Sequence, residues 1–74
     1  MRYRIYMEYW ERIKALREDR DLTQKNICTY LNIAQNTYSQ YENGKREIPI
    51  SILIKLCLYF GVSSDYILGL SDKK

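Results

Sequence analysis

The stretch Thr23-Gln24-Lys25-Asn26-Ile27-Cys28-Thr29-Tyr30-Leu31-Asn32-Ile33-Ala34-Gln35-Asn36-Thr37-Tyr38-Ser39-Gln40-Tyr41-Glu42-Asn43-Gly44 decides the fold. Its opening part, 23–31, places Ile27, Tyr30 and Leu31 on one side of a short helix, and the Thr23 hydroxyl can cap the first-turn N–H groups. Asn26 stands where a Glu or Gln would complete a reciprocal capping box, so the cap is expected to be one-sided. The period breaks at Leu31-Asn32-Ile33 and resumes at Ala34, with Tyr38 and Tyr41 on one side and Gln35, Asn36, Ser39 and Gln40 on the others. Asn43-Gly44 ends the run, because Gly enters the left-handed conformation that closes a helix at little steric cost. The reading predicts helices over 23–30 and 34–41 joined by a tight turn, the second helix carrying an uncharged polar face.

The flanks repeat the helical signal. Trp10, Ile13 and Leu16 recur among Glu11, Arg12, Lys14, Glu18 and Asp19, which predicts a first helix over about 7–20. Beyond a loop holding Lys45 and Arg46, Pro49 suits a helix start, since it lacks an N–H that would have no intrahelical partner there. The fourth helix should reach Phe60 with Ile50, Leu53, Leu56, Cys57 and Phe60 inward, yet Ile52, Leu58 and Tyr59 leave its other side apolar. Gly61 closes it, and Ser63 caps a last helix with Asp65 in its first turn, ending near Leu68-Gly69. The expected class is all-α, a compact five-helix domain over 10–70, with an N-terminal extension over 1–9 and a short tail over 71–74. Tyr3, Ile5, Tyr6, Met7 and Tyr9 crowd the extension. It could lengthen the first helix, pair as a strand with a partner, or act as a basic arm through Arg2 and Arg4.

Composition removes whole classes of function. A chain of 74 residues is one small domain and buries only about 60–65% of its unfolded surface. The absence of histidine excludes a Ser-His-Asp or Cys-His site and a His-containing zinc site. Cys28 and Cys57 form no C-x-x-C pair, so no metal site, redox motif or cofactor is expected, and two free thiols suit the cytoplasm. With no Gly-rich phosphate loop either, an enzyme is not expected, nor is a small-molecule ligand. The longest apolar stretch, Ile48 to Phe60, is interrupted by Ser51 and Lys55 and is too short to span a bilayer. The net charge of +3 permits a polyanionic partner without requiring one.

Four separated runs, Arg12-Ile13-Lys14-Ala15-Leu16-Arg17, Leu22-Thr23-Gln24, Tyr38-Ser39-Gln40-Tyr41-Glu42-Asn43-Gly44-Lys45-Arg46 and Val62-Ser63-Ser64-Asp65-Tyr66-Ile67-Leu68-Gly69, agree in order and separation with one family. The chain resembles the phage-repressor DNA-binding domain of the Cro, lambda-repressor and XRE type over roughly 11–70. The resemblance implies a regulator of transcription, most often a repressor, that binds double-stranded DNA through its third helix. It places Gln35, Asn36, Thr37 and Gln40 toward base edges, where a Gln or Asn amide can pair with adenine N6 and N7 and Thr37 can meet a thymine methyl. It implies phosphate contacts from Thr23 and Gln24 at the start of the second helix, and from Asn43, Lys45 and Arg46 after the third. Arg17 and Glu42 match positions of a partly buried structural ion pair. Cys28 and Cys57 stand where the family usually has Ala and read as compact apolar fillers. Ala34 replaces the usual Ser or Thr cap of the third helix.

The surplus apolar side chains Ile52, Leu58, Tyr59, Tyr66, Ile67 and Leu70 are expected to form a homodimer interface, suited to a palindromic operator. The alternative is a protein-interaction module, an antitoxin or adaptor, using the same surface.

Overall fold

Glu8 starts the first helix of the computed structural model, which describes residues 7–74. Its backbone N–H donates to Glu11 Oε1 at 2.8 Å, so α1 (Tyr9–Asp19) begins two residues later than the periodicity suggested. The expectations for Arg2, Tyr3, Arg4, Ile5 and Tyr6 lie outside the described residues. The remaining elements are α2 (Gln24–Leu31), α3 (Gln35–Glu42), α4 (Ile50–Phe60) and α5 (Ser64–Leu68), and no strand occurs among the described residues. The all-α, five-helix expectation is met.

Local chemistry fixes each junction. Thr23 Oγ1 accepts from the Asn26 N–H at 3.1 Å while Asn26 Oδ1 accepts from the Thr23 N–H at 2.8 Å. The capping box is therefore complete, against expectation, because the shorter Asn side chain reaches the same N–H that Glu or Gln usually takes. Asn32 turns the chain out of α2 at φ 59°, and the next N–H, of Ile33, returns to the Cys28 carbonyl at 3.2 Å. Ala34 gives α3 no side-chain cap. At the other end, Lys45 N–H donates to the Gln40 carbonyl at 2.9 Å and Gly44 N–H to that of Tyr41 at 3.2 Å, the paired bonds of a Schellman closure. Gly44 sits at φ 72°, and a Cβ there would collide with the Trp10 indole, so glycine is needed twice over. Pro49 is the N-cap of α4 and not its first helical residue.

The core joins Ile13 and Leu16 of α1, Ile27, Cys28 and Leu31 of α2, Tyr38 and Tyr41 of α3, Ile52, Leu56 and Phe60 of α4, and Val62 and Ile67 near α5. Packing runs α1 on α3 and α5, and α2 on α3 and α4. Two readings of α4 are corrected. Ile50, expected inward, is 74% exposed, and Leu53 and Cys57 are only partly buried. Leu56 and Phe60 are buried as expected, and Ile52, expected on the other side, joins them in place of Ile50, because both sides are apolar and the neighbouring helices choose between them. Tyr30, expected on the buried side of α2, is exposed and packs against Tyr59 with the rings tilted at 42° and 4.6 Å between centroids.

Arg12 also departs from its expected place on the polar side of α1. It is buried, its Nη1 donates to the Tyr66 carbonyl at 2.9 Å, and its guanidinium lies 5.0 Å from the Tyr66 ring. The final residues fold back, Ser63 N–H donating to the Lys74 carbonyl at 2.7 Å and Ser63 Oγ to that of Lys73 at 3.3 Å. Among the described residues no helix is long and apolar enough to cross a membrane.

Candidate nucleic-acid interface

Helix α3 has two unlike sides. Tyr38 and Tyr41 are buried in the core and fix the helix, while Gln35 and Asn36 are exposed and Thr37 and Gln40 half-exposed on the outward flank. That flank is open, so four side chains able to donate, accept or make methyl contact stand together on a rigid element. The uncapped first turn of α3 adds N–H groups and the positive end of the helix dipole beside Gln35.

Glu42, only 3% exposed, locks this helix to the rest of the domain. Its carboxylate accepts from Arg17 Nε at 2.8 Å, from Arg17 Nη2 at 3.1 Å and from Gln24 Nε2 at 3.1 Å. Arg17 Nη1 also donates to the Leu22 carbonyl at 2.9 Å, so one charge pair ties α1, the α1–α2 turn, α2 and α3. Burial pushes the Glu42 carboxyl up, but the Arg17 hydrogen bond, with Tyr38 and Gln24 nearby, outweighs it and holds the group below its usual range. The Arg17 guanidinium is correspondingly raised, chiefly by its hydrogen bond to Glu42. Burial drives the Tyr38 phenol up; its hydroxyl lies beside Glu42 without a hydrogen bond of normal geometry.

The residues assigned to phosphate divide into two groups. Asn43, Lys45 and Arg46 are exposed on the loop after α3. Thr23 is exposed, yet its hydroxyl and N–H are both engaged with Asn26, and one N–H of the Gln24 amide is committed to Glu42. At that end of α2 the backbone N–H groups, rather than the Thr23 hydroxyl, are what an anion would meet. Sequence reasoning passed over Lys25. It is exposed and lines an open groove of about 700 Å³ together with Thr29, Asn32, Ala34 and Gln35. The available signal was a cation two positions beyond a helix cap, beside the turn leading to α3.

Arg46 reaches back across the surface, its Nε donating to Gln40 Oε1 at 3.2 Å. Asn43 Nδ2 donates to Ser39 Oγ at 3.3 Å. Of the two loop cations, Arg46 is thus held against the outward flank of α3.

The expected dimer surface is altered. Ile52 and Ile67 are 8% and 0% exposed, part of the core, and cannot meet a second chain without unfolding. Tyr66 is half-buried against Arg12, and Tyr59 against Tyr30 and Phe60. Leu58 and Leu70 stay exposed at 72% and 74%, and Ile50 and Ile54 join Leu58 along an apolar groove of about 300 Å³.

Over residues 13–67 the chain matches a family model described as helix-turn-helix. It is 36% identical over 64 residues to the uncharacterized HTH-type transcriptional regulator YobD of Bacillus subtilis, covering 86% of this chain and 57% of that protein. To the HTH-type transcriptional regulator ImmR of the same organism it is 38% identical over 63 residues, 85% of this chain and 50% of that one. The cryptic phage CTXphi transcriptional repressor RstR of Vibrio cholerae is 33% identical over 51 residues, 69% of this chain and 46% of its own length. The chain therefore spans about half the length of these relatives.

Proposed function

Because the chain belongs to the helix-turn-helix family of DNA-binding transcriptional regulators, of phage-repressor type, we propose that it represses transcription as a homodimer on a palindromic operator. Helix α3 lies in the major groove with Gln35, Asn36, Thr37 and Gln40 at base edges. Asn43, Lys45, Arg46 and the start of α2 at Thr23 and Gln24 face the phosphates on either side. Residues 10–70 are the binding unit, 1–9 an extension and 71–74 a tail, and the protein works in the cytoplasm. No catalytic step is assigned.

The observation that carries this reading is the asymmetry of α3, whose inner side is locked by Tyr38, Tyr41 and the Arg17–Glu42 pair while its amide-bearing flank faces outward. The exposed apolar groove of α4 supports the homodimer, since Ile50, Ile54 and Leu58 form a stripe at i, i+4 and i+8 that a two-fold axis can pair with itself. Selection of the full chain against a pool of randomised duplex DNA tests the assignment. Gln35→Ala should relax base preference at one position per half-site, whereas Lys45→Ala should weaken all sequences alike. Identical behaviour of the two variants contradicts it. A monomer that shows no DNA preference and binds another protein through α4 would favour the antitoxin or adaptor reading.

A further inference from the structure

We propose that Arg46 is a positioning residue that sets the base choice of Gln40 by holding its amide oxygen and leaving the Nε2 donors as the free end, so that the pair favours a base with acceptors alone at the major-groove edge. This rests on the DNA-reading role of α3 and deepens it.

The geometry starts from the 3.2 Å bond from Arg46 Nε to Gln40 Oε1. A guanidinium has no acceptor, so the Gln40 atom that faces it must be the oxygen, and the orientation of the amide is fixed by chemistry. The Gln40 Nε2 group, with two N–H donors, is the end left free. The loop that delivers Arg46 is itself anchored, since Lys45 N–H donates to the Gln40 carbonyl at 2.9 Å and Gly44 is seated against Trp10. Arg46 and Gln40 are thereby brought together by the backbone closure of α3 as well as by their side chains.

The consequence for recognition follows from the groove. Adenine presents N7 as acceptor and N6 as donor, and an unrestrained Gln satisfies both. Guanine presents O6 and N7, and thymine O4, all acceptors. A Gln40 whose oxygen already accepts from a cation meets the adenine or cytosine amino group with positive charge alongside, which disfavours that approach, while its N–H pair suits guanine or thymine. Arg46 contributes no base contact of its own in this arrangement; it acts through Gln40.

The test uses the full chain, a randomised duplex pool, and the variants Gln40→Ala, Arg46→Ala and Arg46→Lys. Gln40→Ala identifies the base position that Gln40 reads by abolishing discrimination there. At that position the wild type should enrich guanine or thymine, Arg46→Ala should shift preference toward adenine by about tenfold, the size of one good contact, and Arg46→Lys, which keeps a donor and the charge, should retain much of the wild-type choice. Wild-type enrichment of adenine or cytosine at that position overturns the proposal, as does an Arg46→Ala variant that loses affinity uniformly with base choice unchanged. The wider reading stands in those two cases, whereas a wild type that enriches no sequence at all overturns both together.

Discussion

Glu42 does at a single position what the rest of the interface depends on. Its carboxylate accepts three hydrogen bonds from Arg17 and Gln24, and the Arg17 side chain is itself only 12% exposed. Glu42→Ala leaves that guanidinium without its partner, and the urea midpoint should fall by the equivalent of ~3–5 kcal/mol. The folded carboxyl titrates below its ordinary value of 4.5. Its contribution to stability is therefore fully present above about pH 4.5 and is lost as pH falls through the lower folded value. Chemical denaturation from pH 7 to 3 should show wild type losing more stability than Glu42→Gln across that window. Asn32 is the other decisive residue, held at φ 59° between α2 and α3. Asn32→Val should cost ~1–2 kcal/mol in thermal unfolding and Asn32→Gly little or nothing, because a β-branched residue resists that conformation and Gly does not.

Among the elements, α3 is the one with an unmet need. Ala34 provides no cap, so Ala34→Ser should stabilise the domain by ~1 kcal/mol, measured as a higher melting midpoint. Helix positions were readable to within a residue or two because Thr23, Gly44, Gly61 and Ser63 each act locally, through bonds to neighbours three to five positions away. The Arg17–Glu42 pair was legible only through resemblance. On α4 the inward Leu56 and Phe60 were legible, but the exchange of Ile50 for Ile52 was not, since the helix is apolar on both sides and only its neighbours decide which is covered. Arg12 was missed for the same reason: its partner, the Tyr66 carbonyl, lies 54 positions along the chain. The Arg46–Gln40 bond depends on how the loop turns back, which no periodicity encodes.

In the proposed dimer the outward flank of α3 is given to DNA and the apolar groove of α4 to a second copy. Ile54→Lys places a charge in that groove and should convert a dimer to a monomer by sedimentation, with a matching loss of operator affinity. If each subunit of the dimer touches ~4 phosphates, log K should fall against log salt with a slope near −7, and about half that for the monomeric variant. The most direct measurement is amide chemical-shift mapping of the isotope-labelled chain titrated with a duplex enriched from the randomised pool. If α3 reads the duplex, perturbations should concentrate at residues 35–40, 23–25 and 43–46. Shifts confined to residues 50–58, with the outward flank of α3 unmoved, would contradict that role.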